Sequence, residues 1–257
     1  MTTVASVKTA IIVPTYNEVD NLALLAPALL ALPLPVEVIV VDDNSPDGTG
    51  RLAEGLAAAD GRVVPLHRPA KLGLGTAYVA GFRAALARGA DRIVTMDADF
   101  SHHPRYVPYV VALTQRVDLG IGSRYVRGGG TSNWGPERQL LSSGANTLAR
   151  AALGLPAHDC TAGFRCYRRA VLETIDLDGI RSNGYSFLIE MLYRVVEAGF
   201  TVAETPIIFE NRRHGKSKIS EREIAKAGVT VARLARRRSA SSIARRWNGS
   251  RVACQDR

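Results

Sequence analysis

The residues best suited to chemistry in this sequence are two aspartates separated by one alanine, Asp97-Ala98-Asp99. The preceding residues, Ile93 to Met96, are apolar or β-branched and predict a short buried strand that ends at the first aspartate. Carboxylates two positions apart on an extended segment point to the same side, about 7 Å apart. Such a pair can share a hard cation whose other ligands are water and substrate phosphates. The pair therefore predicts a metal–diphosphate site, with a plain helix cap as the alternative.

The elements that must position this pair follow from the apolar pattern of the first 125 residues. Short apolar runs alternate with helical patterns, which predicts an α/β fold with a mostly parallel sheet flanked by helices. Polar clusters at 15–18, 42–49 and 97–101 each follow a predicted strand, and open α/β sheets bind ligands at that carboxyl edge. The predicted strands are 10–13, 36–41, 63–67, 93–96 and 117–123.

The second half of the chain has a less regular pattern. A helix is predicted over 137–153, with Leu140, Leu141, Ala145 and Leu148 directed into the core. A second helix follows at 185–198, and 201–209 is predicted to be a single strand.

Composition bounds the class of protein. The 257 residues are 46% hydrophobic and 22% charged, which is typical of a globular protein. Cys160, Cys166 and Cys254 are odd in number and widely spaced, so they predict neither a disulfide framework nor a zinc site, and a reducing compartment is expected. We expect no secretory signal. No uninterrupted apolar run approaches the roughly 18 residues of a membrane span.

The net charge of +9 is concentrated near the C-terminus. Residues 218–257 contain 11 Lys or Arg and only three acidic residues. We therefore predict a folded domain at 1–218, a basic amphipathic helix at 219–238 and a basic, poorly ordered tail at 239–257. Such a tail suits a membrane surface or nucleic acid. Aromatic residues are not interleaved with the charge, which argues against nucleic acid.

A series of motifs in order makes the sequence more specific. Three follow predicted strands: Pro14-Thr15-Tyr16-Asn17-Glu18, the Asp42–Thr49 segment, and Asp97-Ala98-Asp99-Phe100-Ser101-His102. The later motifs are Gly122-Ser123-Arg124-Tyr125, Arg138-x-x-x-Ser142-x-x-Ala145-Asn146, Asp159-x-Thr161-x-Gly163-Phe164-Arg165, Gly184-Tyr185-x-Phe187-x-x-Glu190 and Arg212-x-x-Gly215-x-Ser217-Lys218. Over about residues 8 to 220 the chain resembles the inverting GT-A glycosyltransferases of family 2, and within them the polyprenol-phosphate (dolichol-phosphate) mannosyltransferases.

The resemblance implies a GT-A (Rossmann-like) catalytic domain at 1–218. It implies inverting transfer of mannose from GDP-mannose to a polyprenyl monophosphate, with Mg²⁺ or Mn²⁺. Because that acceptor is a lipid, we expect the protein to lie peripherally on the cytoplasmic face of a membrane, with the helix at 219–238 on anionic headgroups. A separate membrane-anchoring subunit is a further expected partner.

The resemblance also implies roles for particular residues. It assigns nucleoside contacts to Pro14, Tyr16, Glu18, Val41 and Asp43, and the metal–diphosphate site to Asp97, Ala98 and Asp99. Ser101 stands where many relatives have a glutamine metal ligand, so it is a candidate metal residue. Arg124, Arg212 and Lys218 would meet phosphates, and Arg138 and Ser142 would hold the lipid phosphate. The expected catalytic set is Asp99, Arg124, Arg138 and Ser142.

The chemistry implied by the resemblance needs positive charge more than a base. The nucleophile is a phosphate oxygen that is already anionic, so no indispensable general base is expected, with Glu190 as the fallback. Arginines and the cation would stabilise charge that develops on the leaving diphosphate. Arg165 is expected to be structural and to pair with Asp159, and the histidines show no metal-binding spacing.

Three other functions fit parts of the sequence. A hexosyltransferase that uses a UDP-sugar would share Asp97 and Asp99. A non-catalytic nucleotide-sugar-binding subunit would not need the complete set of phosphate-binding residues. A nucleic-acid-binding protein is suggested only by the basic tail, so nucleic acid is not an expected partner.

Overall fold

The computed structural model describes residues 7–210 and 226–238. Within these residues the strands are β1 (Thr9–Thr15), β2 (Val36–Asp42), β3 (Val63–His67), β4 (Arg92–Thr95), β5 (Leu119–Ser123), β6 (Gly130–Thr131), β7 (Arg165–Arg168), β8 (Val202–Pro206) and β9 (Ile208–Phe209). The helices are α1 (Val19–Leu30), α2 (Thr49–Ala59), α3 (Leu74–Ala87), α4 (Val107–Leu113), α5 (Pro136–Leu153), α6 (Arg169–Thr174) and α7 (Tyr185–Glu197). Residues 226–238 form a further helix.

A seven-stranded sheet in the order β3-β2-β1-β4-β7-β5-β8 forms the centre of the molecule. Its strands pair in parallel except for β7, which is antiparallel to both β4 and β5. The predicted α/β class and mostly parallel sheet are therefore confirmed. Near-continuous Val and Ile runs form β1 and β2 because helices cover both faces of such a sheet.

Two hydrophobic clusters lie on opposite faces of the sheet. Ala10 and Ile12 of β1 belong to the cluster beneath α3, α7 and the helix at 226–238, whereas Ile11 and Val13 belong to the cluster beneath α1 and α4. Close approach of α3 to the sheet requires Gly81, because a Cβ there would lie 2.4 Å from Ile12 Cγ2. This alternation along β1 is the two-residue periodicity of an extended strand.

Two strand predictions need correction. The sequence 201–209 was predicted as one strand, but β8 ends at Pro206 and β9 pairs with β6 in a separate two-stranded sheet. Strand β7 was not predicted at all, although it lies in the middle of the main sheet. Its short sequence, Arg-Cys-Tyr-Arg, has no apolar alternation, and its register is set by partners far away in the chain.

The predicted inward face of α5 is wrong. Leu140, Leu141 and Leu148 are 75%, 54% and 63% exposed. Instead Asn146, Ala149 and Leu153 are the buried residues of this helix. The helix therefore presents a leucine-rich side outward, and small or polar residues allow its close contact with the rest of the protein.

The helix at 226–238 packs on the folded domain through two of its apolar residues. Val231 and Leu234 are buried in the cluster with α3 and α7. Arg233 of this helix and Arg194 of α7 donate to Glu190, which is also bonded by the Ser182 hydroxyl. The remainder of the predicted 219–238 helix, the domain boundary at 218 and the tail at 239–257 lie outside the described residues, so those boundaries stay predictions.

No helix among the described residues is both long enough and apolar enough to cross a bilayer.

Candidate active site

A cavity of about 1040 Å³ opens at the carboxyl edge of the sheet and is bordered by residues from both halves of the chain. One part, the carboxylate end, carries Glu18, Asp43, Asp97 and Asp99. The other part, the helical end, lies between α5, α7 and the helix at 226–238 and is lined mainly by apolar residues. Its lining includes Leu141, Ala145, Leu148, Leu188, Ile189 and Val231.

The loop after β4 is closed on itself, and this closure holds the two aspartates. The Asp99 carboxylate accepts a hydrogen bond from the Ser101 backbone N–H at 3.0 Å. Phe100 has a left-handed φ of 59°, which turns the chain sharply at that point. The His102 ring then accepts the Asp97 backbone N–H through Nδ1 at 3.3 Å. Asp97 and Asp99 are thus oriented by hydrogen bonds between residues of the motif itself, each with a backbone N–H as donor.

Asp97 and Asp99 differ in accessibility. The Asp97 side chain is 38% exposed and accepts a 3.4 Å hydrogen bond from the Tyr78 hydroxyl, whereas Asp99 is buried. Burial, followed by the charge of Asp97, raises the pKa of Tyr78 well above its ordinary value, so this hydroxyl stays a donor. Among the described residues no group of three or more acidic, histidine or cysteine side chains forms a complete metal cage. Two carboxylates beside an open cavity fit a cation such as Mg²⁺ that keeps water and phosphate ligands.

His102 is a neutral residue of this loop. Burial lowers its pKa to about 4, although Asp99 and Asp159 act in the opposite direction. Its ring stacks on Phe164, with 5.4 Å between the ring centroids, and meets the edge of Phe209. The buried imidazole therefore accepts the hydrogen bond from the Asp97 amide. Because the ring is neutral at neutral pH, its single N–H is the one donor that it has.

The part of the carboxylate end that was predicted to contact a nucleoside, called the nucleoside part here, is built around Asp43, which follows β2. Its carboxylate accepts the Leu72 backbone N–H at 3.1 Å and lies 3.1 Å from the guanidinium of Arg68. Burial raises the pKa of Asp43 in spite of Arg68 and the backbone donors. Nearby, the Lys71 ammonium lies 4.0 Å from the centroid of the Tyr16 ring. The arrangement gathers a carboxylate, an aromatic ring and an ammonium group at this end of the cavity.

The loop after β2 is fixed in the same way as the loop after β4. The Ser45 hydroxyl donates to Asp42, and Asp47 accepts from the backbone N–H groups of Thr49 and Val19. Burial opposes ionisation of Asp47, but hydrogen bonds from Thr49 and the backbone hold its pKa below the ordinary value. Through these hydrogen bonds the loop holds the start of α1 beside the start of α2. The segment that contains Tyr16 and Glu18 is therefore held against this loop.

Arg124 forms the junction between the two ends of the cavity, and its main partner is Asp159. Its guanidinium donates to both Asp159 oxygens at 2.7 Å and to the Thr161 hydroxyl at 2.8 Å. Burial alone would raise the pKa of Asp159, but Arg124 holds it below its ordinary value. The expected Arg165–Asp159 pair is wrong: Arg165 is structural, but it donates to the carbonyls of Ala162, Leu188 and Cys160.

The helical end brings Arg138 and Ser142 of α5 to the cavity. The Ser142 hydroxyl accepts a 2.7 Å hydrogen bond from the Tyr125 hydroxyl, next to Arg124 in sequence. The Arg138 guanidinium lies over the indole of Trp134, 3.9 Å from the ring centroid. Arg124 and Arg138, two of the three arginines that were predicted to contact phosphates, therefore lie beside the same cavity.

Glu190, the fallback base, is not a lining residue of the cavity. Burial would raise its pKa, but the Ser182 hydroxyl, Arg194 and Arg233 hold that pKa below the ordinary value. Its carboxylate is an ion-pair centre between α7 and the helix at 226–238. Its geometry favours a structural role.

Most of the candidate residues meet at this one cavity. Its lining includes Pro14, Tyr16, Glu18, Asp43, Asp97, Ala98, Asp99, Arg124, Arg138 and Ser142. Val41 is buried in the core and Ser101 is buried behind the loop, and neither borders the cavity. Arg212 and Lys218 lie outside the described residues.

Several lining residues were missed by the sequence reasoning, among them Lys71, Trp134 and Asn183. The Asn183 side chain accepts the Gly75 backbone N–H at 3.0 Å and so connects the start of α3 to the segment before α7. Only Trp134 had a signal in the sequence, since it stands four residues before Arg138. Lys71 and Asn183 lie between elements and belong to no recognisable spacing.

Comparison with known proteins identifies the family of this chain. Residues 10–176 match the family described as glycosyl transferase family 2. The polyprenol monophosphomannose synthase of Mycolicibacterium smegmatis is 48% identical over 227 residues, which cover 88% of this chain and 86% of that protein. The undecaprenyl-phosphate mannosyltransferase of Micrococcus luteus is 44% identical over 241 residues, which cover 94% of this chain and 96% of that protein.

Solved structures share the fold at lower identity. Glucosyl-3-phosphoglycerate synthase from Mycobacterium tuberculosis, in complex with phosphoglyceric acid, has a TM-score of 0.65 at 20% identity and covers 89% of this chain and 80% of that one. The same enzyme with Mn²⁺, uridine diphosphate and glucosyl-3-phosphoglycerate has a TM-score of 0.60, also at 20% identity, and covers 88% and 77%. At this identity the likeness supports the fold alone.

Proposed function

Because the chain belongs to glycosyltransferase family 2, we propose that it transfers mannose from GDP-mannose to a polyprenyl monophosphate, with inversion at the sugar. The names of two relatives at 48% and 44% identity, each aligned over most of its length, describe a polyprenol monophosphomannose synthase and an undecaprenyl-phosphate mannosyltransferase. The fold of this chain is also that of its glycosyltransferase neighbours.

The observation that carries this proposal is the continuity of the cavity. A single space of about 1040 Å³ runs from the carboxylates Asp97 and Asp99 to the apolar side chains of α5 and α7. A nucleotide sugar suits the first part, and a lipid chain suits the second. Arg124, Arg138 and Ser142 line the same space, where a phosphate attached to such a lipid would lie. A water-soluble acceptor would have no use for the apolar part.

In the proposed reaction an acceptor phosphate oxygen attacks C1 of mannose and forms the new C1–O bond. The C1–O bond to the diphosphate breaks, and GDP leaves with the bonding electron pair. Attack from the face opposite the leaving group inverts C1. The acceptor oxygen is already anionic, so no proton needs to be removed from it. The described cavity lining agrees with this, because its carboxylates, Glu18, Asp43, Asp97 and Asp99, lie at the carboxylate end, which is proposed for the nucleotide sugar.

Positive charge is the main requirement, because two phosphate-bearing substrates must approach each other. Arg124 keeps its charge in the cavity wall because Asp159 pairs with it from behind. Arg138 offers a second planar guanidinium, which suits bidentate contact with a phosphate. We further propose that Asp97 and Asp99 hold Mg²⁺ or Mn²⁺, which would neutralise charge on the departing diphosphate. Ser101 is not proposed as a metal ligand, because it does not border the cavity.

The test is transfer of radiolabel from GDP-mannose to a short polyprenyl phosphate in the presence of Mg²⁺, counted in the organic phase. We expect label in the lipid with the wild type and a loss of about 100- to 1000-fold with Asp99→Ala, the scale for removal of one electrostatic catalytic group. Glu173→Gln on α6, a surface ion-pair residue outside the cavity, is the control that keeps activity. Label from UDP-hexoses, but not from GDP-mannose, would overturn the donor assignment.

We also propose that the outward leucines of α5 bring the protein to the surface of a membrane, on the cytoplasmic side where nucleotide sugars are made. Leu140, Leu141 and Leu148 are exposed on the helix that borders the apolar part of the cavity, and a lipid acceptor must enter there. Val229, on the helix at 226–238, is also exposed. Anionic vesicles in a flotation assay provide the measurement.

The matched variants for flotation are Leu140→Ser/Leu148→Ser on α5 and Leu24→Ser on α1. Leu24 is exposed to a similar degree, but it belongs to the helix on the opposite face of the sheet. We expect the α5 variant to lose vesicle binding and the α1 variant to keep it. Equal binding by both would refute the role of α5.

A further inference from the structure

Trp134 is the feature of the cavity wall that the reaction described above leaves unexplained. It immediately precedes the N-cap of α5, lines the cavity and is only 9% exposed. Its indole Nε1 is buried without a hydrogen-bond partner among the described residues. An unpaired buried donor costs stability, and a phenylalanine would fill similar space without that cost. The indole must therefore have a role other than donating a hydrogen bond to the described residues of the chain.

The surroundings of the ring indicate that use. The Arg138 guanidinium lies over the indole, 3.9 Å from its centroid, and the Arg124 guanidinium lies 5.6 Å away. Tryptophan is the side chain whose ring face attracts cations most strongly. Phe209 meets the indole edge-on, with 5.5 Å between ring centroids and 76° between planes, and fixes its orientation. The ring is therefore a fixed surface for two cations that would otherwise repel each other.

The two arginines are held differently. Arg124 is fixed by both oxygens of Asp159 and the Thr161 hydroxyl. Arg138 of α5 lines the cavity, and its guanidinium lies against the face of the Trp134 indole. Replacing the indole would remove the surface that supports Arg138 and leave the Arg124–Asp159 pair in place. Loss of Trp134 should thus affect the helical end selectively.

We infer that Trp134 is a positioning residue for the acceptor phosphate: its indole holds the Arg138 guanidinium in the cavity wall, ready to bind that phosphate. The inference rests on the proposed function, because Arg138 is assigned to the acceptor there. Trp134 should therefore contribute to the affinity for the acceptor and make no contribution to the affinity for the donor nucleotide.

A double-mutant cycle tests the inference without turnover. The dissociation constant of a short polyprenyl phosphate is measured by calorimetry, without donor, for the wild type, Trp134→Leu, Arg138→Met and the double variant. A lost cation–π contact should weaken acceptor binding about tenfold in Trp134→Leu and about threefold in Trp134→Phe. In the Arg138→Met background, Trp134→Leu should add less than about twofold, because its partner is already gone.

A second set of measurements separates positioning from folding. Binding of GDP with Mg²⁺ should be unchanged in Trp134→Phe, and the KM for the acceptor should rise while kcat stays the same. Trp134→Phe preserves an aromatic ring, so it keeps the inference testable if Trp134→Leu does not fold. Equal effects of the Trp134 substitution in both Arg138 backgrounds, or equal weakening of GDP binding, would overturn the inference. If the wild type binds no polyprenyl phosphate, the proposed function itself fails.

Discussion

The two ends of the cavity reach their geometry by different physical means. At the carboxylate end, Asp99 and Asp43 come just after strands and accept backbone N–H groups within a few residues or on the next loop, and the Asp97 backbone N–H donates to His102 five residues later. At the helical end, α5, α7 and the helix at 226–238 meet only through packing and ion pairs between segments far apart in sequence. The first end is fixed locally and the second is assembled by tertiary contacts. Substitutions at the two ends should therefore fail in different ways.

The junction between the ends should give the largest effect. Asp159→Asn leaves Arg124 buried without its ion-pair partner, and breaking a buried pair in this way costs roughly 3–5 kcal/mol of the free energy of unfolding. Urea unfolding followed by circular dichroism measures the loss. Asp178→Asn is the matched control, since Asp178 also pairs with an arginine but its side chain is 83% exposed. We expect the control to lose less than about 1 kcal/mol, and similar losses for both variants would contradict the assignment.

A smaller loss is expected within the helical end. Glu190→Gln weakens the contacts with Ser182, Arg194 and Arg233, and removal of a charged hydrogen-bond partner costs about 1–3 kcal/mol. The loss should loosen the helix at 226–238 first, which hydrogen exchange of residues 226–238 would detect. Unchanged exchange rates there would show that packing of Val231 and Leu234 alone holds this helix.

The pH dependence has opposite signs at the two ends. The pKa of Glu190 is lowered in the folded protein, so its contribution to stability is present above its ordinary pKa and is lost as pH falls through the lowered value. The pKa of Asp43 is raised by burial, so its contribution is present below its ordinary pKa and is lost as pH rises through the raised value. Carboxyl NMR titration should find the pKa of Asp43 above the ordinary value of an aspartate and the pKa of Glu190 below that of a glutamate, and a shift in the opposite direction would contradict the environment of that residue.

A still smaller effect is expected at the nucleoside part of the carboxylate end. Lys71→Met removes the ammonium over the Tyr16 ring and one positive charge beside the nucleotide. Binding of GDP should weaken about fivefold, the effect of a contact of roughly 1 kcal/mol. Lys8→Met, which affects a surface pair with Glu37, should leave the affinity unchanged. Calorimetric titration of both variants with GDP makes this comparison.

The smallest change in stability is expected for the outward leucines. Leu140→Ser should change the free energy of unfolding by less than about 0.5 kcal/mol, because the side chain is already exposed. Leu188→Ala, in the buried wall of the same cavity, should cost about 2–5 kcal/mol. A large loss in Leu140→Ser would mean that α5 packs through the face that the sequence pattern first predicted.

The contrast between the ends also explains what sequence reasoning could predict. The Val and Ile runs of β1 and β2 and the polar segments after them predict most of the residues that line the carboxylate end of the cavity, because consecutive residues decide both strand and loop. The leucines of α5 were predicted inward because a helical repeat identifies an apolar face without identifying what that face meets. Here Ala149 and Leu153 meet the core, whereas Leu140, Leu141 and Leu148 are exposed.

Arg165 and Arg124 give a second example. Arg165 stands in the same short motif as Asp159, whereas Arg124 is 35 residues away from it, so proximity in sequence favoured the wrong arginine. The antiparallel insertion of β7 between β4 and β5 directs Arg165 to backbone carbonyls, and it leaves Arg124 facing Asp159. A strand inserted out of sequence order depends on partners that local propensity does not encode.

The sequence by itself determined the α/β class, the carboxyl-edge position of the site, and the residue types after each strand, because these depend on periodicity and on neighbours a few positions apart. Tertiary structure alone decided which face of α5 is buried, where β7 pairs, which arginine binds Asp159, and that the Arg138 guanidinium lies against the Trp134 ring. These depend on contacts between distant segments, whose outcome is set by the shape and charge that each segment finds when the chain has folded.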